Sequence, residues 1–245
     1  MISETTFAKR FTSFWNELLP NAKNYVRLVN AGGKEITHKP LPTPERRQNT
    51  ALVNTLSFGL YLFLCANKVE VAAIFAPTFL DSSEFKGILQ TSIDHQKRYG
   101  TDVAHTLPLT NSELQQAQLI AKILYARYHI ALNPQLEPPF DGCGFLNSAR
   151  GDIFLQGRLV EIKSGERTFS VQDFRQILIY CMLNHFGRHP LAISRIELFN
   201  PRMGILYSAS ITEFTTNLSS LEPFQLFAEL ASFASDTNFV ELADI

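Results

Sequence analysis

Cysteine, positive charge at one end and long apolar runs are the scarce features of this 245-residue sequence. The cysteines are three, Cys65, Cys143 and Cys181, with no CxxC and no Cys/His spacing. An odd, sparse set excludes a disulfide scaffold and gives no support to a structural zinc or iron–sulfur site. Residues 1–14 contain no apolar run of signal-peptide type, which makes the cytoplasm the expected location. The most apolar stretch, residues 50–66, includes Asn54, Thr55, Ser57 and Gly59. It falls short of the ~20 residues a spanning helix needs, so a buried core helix is expected and no membrane partner. Residues 203–245 lack Lys and Arg altogether and hold six acids: Glu213, Glu222, Glu229, Asp236, Glu241 and Asp244. The overall charge of −1 therefore hides a body, residues 1–202, of net +5 (22 bases against 17 acids). That split withdraws the electrostatic objection to a polyanionic partner without establishing one. With 45% hydrophobic and 18% charged residues, a disordered chain is excluded.

Three Gly/Pro-rich stretches, residues 31–47, 100–112 and 133–149, punctuate the chain as loops. Residues 7–19 place Phe7, Phe11, Phe14, Trp15 and Leu18 near a 3.6 period, predicting one helix; residues 83–99 predict another. Val and Ile in residues 69–75 predict a short strand. Residues 112–131 predict a helix capped by Ser112 and Gln115, and residues 170–185 one capped by Ser170 with Asp173 at the third position. Strands are expected at 194–199 and 205–211, and Pro223 opens a final helix carrying Phe224, Phe227, Leu230 and Phe233. The division that follows is a mainly helical accessory region over 1–105, an α/β core over 106–212 and an acidic helical segment over 213–245 that packs on the body.

Between the two capped helices lies the pattern that carries chemistry. Residues 151–156 and 157–163 form a hairpin if Gln156 and Gly157 are the central turn residues. Leu155 then faces Arg158, Phe154 faces Leu159, Ile153 faces Val160 and Asp152 faces Glu161. Asp152, Phe154, Leu159, Glu161 and Lys163 share one face; Ile153, Leu155, Val160 and Ile162 share the other and read as core. Like charges directly opposed across a hairpin are unfavourable. A hard divalent cation, which takes carboxylate oxygens, is one reason to keep them. Gln176 and Tyr180, spaced i, i+4, lie on one stripe of the following helix and can turn back to the hairpin.

Asp152, Glu161-Ile162-Lys163 and then Gln176 with Tyr180 on a capped helix resemble the PD-(D/E)XK nuclease superfamily, most closely its RecB-like branch. The resemblance spans residues 111–211. It implies a restriction-endonuclease-like α/β core, a central mixed sheet flanked by helices, and Mg²⁺-dependent hydrolysis of DNA phosphodiester bonds, with Mn²⁺ able to substitute. Many relatives of this kind serve prokaryotic DNA repair or anti-phage defence. Carried across, Asp152, Glu161 and the Ile162 carbonyl hold the metal, Lys163 orients or deprotonates the attacking water, and Gln176 and Tyr180 position a water or phosphate. For an upstream acid there are two candidates, Glu113 and Asp141; His129 is unassigned. Arg150, Arg167 and Arg175, with Arg158 and Arg188 nearby, are the expected phosphate contacts. The implied partners are DNA and a protein such as an ATPase or helicase. Competing expectations are a catalytically silent nuclease-fold subunit that binds nucleic acid or a partner, and an unrelated cytoplasmic interaction protein.

Overall fold

The structure, a computed structural model, describes residues 1–99, 105–129 and 132–236. Glu241 and Asp244 of the acidic tail and the expected end of the 112–131 helix lie outside them. Helices α1 (Glu4–Lys9), α2 (Thr12–Leu18) and α3 (Ala22–Leu28) open the chain, followed by strand β1 (Glu35–Ile36). Helices α4 (Thr50–Asn67), α5 (Ser83–Tyr99) and α6 (Asn111–Arg127) come next. Then follow β2 (Gln135–Leu136), β3 (Pro139–Phe140), β4 (Ala149–Arg150), β5 (Ile153–Leu155) and β6 (Arg158–Ile162). The chain continues with α7 (Val171–Phe186), β7 (Arg195–Asn200), β8 (Ile205–Ser210), α8 (Ile211–Ser219) and α9 (Pro223–Ser235).

Six strands make a mixed sheet in the order β1-β8-β7-β6-β5-β2. All neighbours are antiparallel except β6 and β7, which run parallel and are joined by α7. A parallel pair needs such a crossover, and the crossover helix covers one face. Alternation along β6 then divides the molecule. Leu159 packs with Phe174, Ile177 and Leu178 of α7 and with residues of α1, α3, α8 and α9. Val160, with Ile153 and Leu155, packs with Leu56 and Leu60 of α4 and Ile120 and Leu124 of α6. Both faces are buried, so the hairpin is an internal element of the sheet, and the Leu159 face is core as fully as the Val160 face. By length and composition Arg47–Asn67 would serve as a membrane span; here Leu52, Leu56, Leu60 and Leu64 of α4 are fully buried. Arg202, 1% exposed, donates to Asn54 of α4 at 3.0 Å, Gln116 of α6 at 2.7 Å and the Ser164 carbonyl at 3.0 Å, tying those helices to the end of β6.

Several expectations are corrected. The helix expected over 7–19 is two, broken at Phe11, whose φ is 56°. The break frees the Phe7 carbonyl, which accepts the Trp15 indole N–H at 2.9 Å, and it lets Phe7, Phe11 and Phe14 close on Phe145 and Phe233. The strand expected over 69–75 is a 3₁₀ turn, Val71–Phe75; among the described residues no strand flanks it, and the Ile74 carbonyl accepts from Gln118 of α6 at 2.6 Å. The α6 cap is Thr110 with Glu113, two residues earlier than Ser112 with Gln115. Of the region expected over 1–105, α1–α3 share the α7 core, α4 shares the α6 core, and β1 is an edge strand of the sheet. The acidic segment contributes two helices, α8 and α9, whose Phe214, Leu226 and Leu230 are buried.

Candidate metal and phosphate site

The β5–β6 turn has Gln156 at φ 49° and Gly157 at φ 78°, the sign at both central residues that a tight type I′ hairpin requires. The register is Leu155↔Arg158, Phe154↔Leu159 and Ile153↔Val160, which leaves Asp152 beside Glu161 on the α7 face. Asp152 is half-buried and Glu161 is 4% exposed. One Asp152 oxygen accepts the Ile162 backbone N–H at 2.6 Å. The Lys163 N–H bonds the Phe199 carbonyl at 2.8 Å, continuing the β6–β7 ladder, so the backbone on both sides of Glu161 is held.

The side chains form a connected chain of contacts. The Lys163 ammonium donates to Glu161 Oε1 at 2.8 Å and to Gln176 Oε1 at 2.5 Å. Gln176 Nε2 donates to the Tyr180 hydroxyl at 2.9 Å and, at 3.4 Å each, to Glu4 Oε1 and Thr5 Oγ1 of α1. The Tyr180 hydroxyl donates on to Glu4 at 3.3 Å. The helix that presents Gln176 and Tyr180 is fixed at its start, where Asp173 accepts from Ser170 N at 2.7 Å and Ser170 Oγ at 2.9 Å. Glu161 Oε2 is buried with no hydrogen-bond partner.

Burial, then the neighbouring Asp152, pushes the Glu161 carboxyl up to about 8, against the pull of Lys163. Asp152 is raised by burial too, while the Ile162 N–H and Lys163 pull it back. Burial works against the Lys163 ammonium, but Glu161 and Asp173 outweigh it and hold its pKa above the ordinary lysine value. At neutral pH Lys163 is therefore a cation, suited to orienting a water and to opposing negative charge rather than to taking a proton. Two close acids, one with an orphan oxygen, have the chemistry of a divalent-cation cradle. Asp152 and Glu161 are the side chains that fit it. Among the described residues no third His, Cys, Asp or Glu joins them as a ligand set.

Asp152, Glu161, Gln176 and Tyr180 open into a cleft of about 1790 Å³, lined by parts of α1, α4, α5, the β3–β4 pair and α7, by Ile162 at the end of β6 and by Ser164; Lys163 lies behind them and lines a smaller pocket with Gly165, Arg167 and Asn200. The structure brings Asp152, Glu161, Lys163, Gln176 and Tyr180 together. It does not bring Glu113, which is fully buried, bonds Arg46 and Asn49, and does not line the cleft. Asp141 does line it but is paired with Arg188 at 2.9 Å, which holds its carboxyl down at about 2. His129 lies against the Tyr125 ring.

The expected cations are mostly engaged. Arg175 is no phosphate contact: it is 6% exposed, donates to the Ala8 carbonyl at 3.1 Å and stacks over Trp15 at 5.1 Å. It follows Phe174 on a helix buried nearly all round, so the body of the protein claims it. Arg167 is paired with Asp173 at 2.6 Å and lies off the main cleft. Arg158 pairs with buried Glu197 at 2.8 Å. Arg150 is exposed on the cleft wall, its guanidinium donating to the Glu137 carbonyl at 3.3 Å. Sequence reasoning missed Glu4 and Thr5. Nothing local marks them beyond the Ser3 cap of a short helix, because only the packing of α1 on α7 carries them to the site. Compared with protein-family models, curated proteins and solved structures, the chain matches none.

Proposed function

We propose that this protein is a metal-dependent nuclease that hydrolyses DNA phosphodiester bonds with Mg²⁺, or Mn²⁺ in its place, within a restriction-endonuclease-like core. The setting we propose is prokaryotic DNA repair or anti-phage defence. The observation that carries the reading is Glu161 at the cleft wall: its buried Oε2 accepts no hydrogen bond and stands beside Asp152, while its Oε1 accepts from Lys163 at 2.8 Å. Such an oxygen is costly to bury unless something binds it.

Asp152 and Glu161 would hold the cation, with the Ile162 carbonyl a third donor. When bound, it would polarise the phosphoryl oxygen and lower the pKa of an attacking water. The Lys163 ammonium opposes the negative charge that grows on phosphorus. Gln176 holds that ammonium through its carbonyl and, with Tyr180, offers donors to a phosphate oxygen. Arg150 and Lys9 are the cations on the approach. DNA is the proposed partner, with an ATPase or helicase as an accessory protein.

A second reading, a silent nuclease-fold subunit binding nucleic acid or a partner protein, is favoured by the two-carboxylate count among the described residues. Plasmid, linear and single-stranded DNA incubated with Mg²⁺ or Mn²⁺ separates the two. Cleavage lost in Asp152→Ala and Lys163→Ala supports the nuclease. Cleavage that survives both substitutions sinks the site, and none under any condition favours the silent subunit.

A further inference from the structure

We infer that the cleft takes a single polynucleotide strand rather than a duplex, with the bases lying against α4 and α5; this rests on the nuclease reading of the opposite wall. The two walls belong to different layers of the fold. One is built by α1, α7, the β3–β4 pair and the end of β6 and carries Glu161, Gln176, Tyr180, Lys9 and Arg150. The other, from α4 and α5, includes Thr55, Phe58, Leu62, Ile88 and Thr91. Among the described residues its lining holds no Lys or Arg, and its ionisable groups are Glu84 and His95.

A single strand has one charged edge and one edge of bases, and matches walls of that kind. A duplex carries phosphates on both rims, one charge per ~1.7 Å of axis, and would set one rim on a wall with no cation. The charge of the whole cleft points the same way. Its lining carboxylates are Glu4, Glu84, Glu137, Asp141, Asp152 and Glu161, against Lys9 and Arg150. Doubling the phosphate density raises the repulsion from that excess. Single-strand binders replace the missing phosphate attraction by stacking bases on aromatic rings, and half-buried Phe58 is the ring on this wall. The wall is preformed: a Cβ on Gly59 would come within 2.8 Å of Ile88 Cγ2, so α4 and α5 are in close contact there. At Gly87 the wall is open, with nothing within 4 Å of an added Cβ.

The test is fluorescence anisotropy of a labelled oligonucleotide, single-stranded or annealed, on the full chain in Ca²⁺ at matched salt, with cleavage followed separately in Mg²⁺. The single strand should bind at least tenfold more tightly. Phe58→Ala should weaken it by roughly tenfold or more and Phe58→Tyr should restore it. Gly87→Glu, where the side chain has room in the interior of α5, should weaken it without lowering the melting temperature, which keeps the test alive if Phe58→Ala does not fold. Equal or tighter duplex binding overturns the inference, as does single-strand binding indifferent to both Phe58→Ala and Gly87→Glu. Strand preference with Phe58 dependence but no cleavage upholds this inference and removes the hydrolysis reading. Duplex cut as fast as single strand, by wild type and Phe58→Ala alike, does the reverse.

Discussion

The Asp152 carboxylate accepts the Ile162 backbone N–H at 2.6 Å, so the acid before one hairpin strand is anchored to the far end of the other. The bond gives Asp152 a structural task beside its proposed chemical one, and the two can be separated. Asparagine keeps an oxygen for the Ile162 N–H and loses the anion. Asp152→Asn should leave stability within about 1 kcal/mol of wild type while cutting DNA cleavage by about 10²-fold or more. Asp152→Ala loses the acceptor as well and should cost about 1–3 kcal/mol in urea denaturation. Equal cleavage by wild type and Asp152→Asn would remove the carboxylate from the reaction.

Glu161 makes a pH signature. Its pKa in the folded state lies near 8, above its ordinary value, because burial and Asp152 disfavour the anion. Between those values the folded protein holds a proton that the unfolded chain has released. The stability due to this group is complete below the ordinary glutamate range and is lost as pH rises through about 8. Metal-free protein should therefore lose stability between pH 5 and 8, and Glu161→Gln should flatten that slope. A cation binding at pH 7 must displace the proton. Calorimetry of Mn²⁺ binding in buffers of different ionisation enthalpy should show proton release, absent in Glu161→Gln. A wild-type titration without proton release would contradict the assignment.

Glu113 should prove a fold residue. Its carboxylate accepts from Arg46, from Asn49 at 3.0 Å and from the Thr110 N–H at 2.8 Å. Burial alone would raise its pKa, but Arg46, Thr110 and Asn49 outweigh it and hold the carboxyl below the usual range. That contribution is present above the ordinary glutamate pKa and lost as pH falls through the depressed one. Glu113→Ala removes half a capping box and one of the two acceptors of the buried Asn49 amide, leaving it the Thr106 carbonyl. It should cost about 2 kcal/mol with cleavage per folded molecule unchanged. Glu113→Gln should cost less, and its urea midpoint should fall less steeply in acid. A large loss of cleavage at normal stability would return Glu113 to the site.

What could be read from the residues alone follows from how local the cause is. The hairpin register was legible because period-2 alternation and Gly157 are enough to set it, and the bounds of α5 were legible because charges interleave its apolar positions. The Phe11 break was not, since Phe7, Phe11, Phe14, Trp15 and Leu18 give the same spacing whether or not the helix is continuous. Val71–Phe75 has strand composition but, among the described residues, no strand to pair with, a fact of the fold and not of the segment. Arg175 reads as a surface cation and is claimed by Trp15 and the Ala8 carbonyl, 167 residues away in the chain. The same packing of α1 on α7 delivers Glu4 and Thr5. The site's inner pair was in the sequence, and its outer neighbours were in the tertiary structure.

The turn itself offers the last prediction. Gln156 holds a left-handed φ of 49° that costs a non-glycine residue about 1 kcal/mol, and asparagine tolerates that region better. Gln156→Asn should therefore raise stability by about 0.5 kcal/mol, with an unchanged urea m-value and an unchanged cleavage rate, because Leu155↔Arg158 pairing is already in place. Gly157→Ala should do the opposite. Its φ is 78°, and the new Cβ would lie 3.0 Å from Ser194 Oγ and 3.4 Å from the Ala192 carbonyl. A loss of about 1–2 kcal/mol is expected. If the strained turn shifts the register by one residue, Asp152 and Glu161 leave their common face. Cleavage would then fall along with stability, whereas Gln156→Asn would leave cleavage untouched.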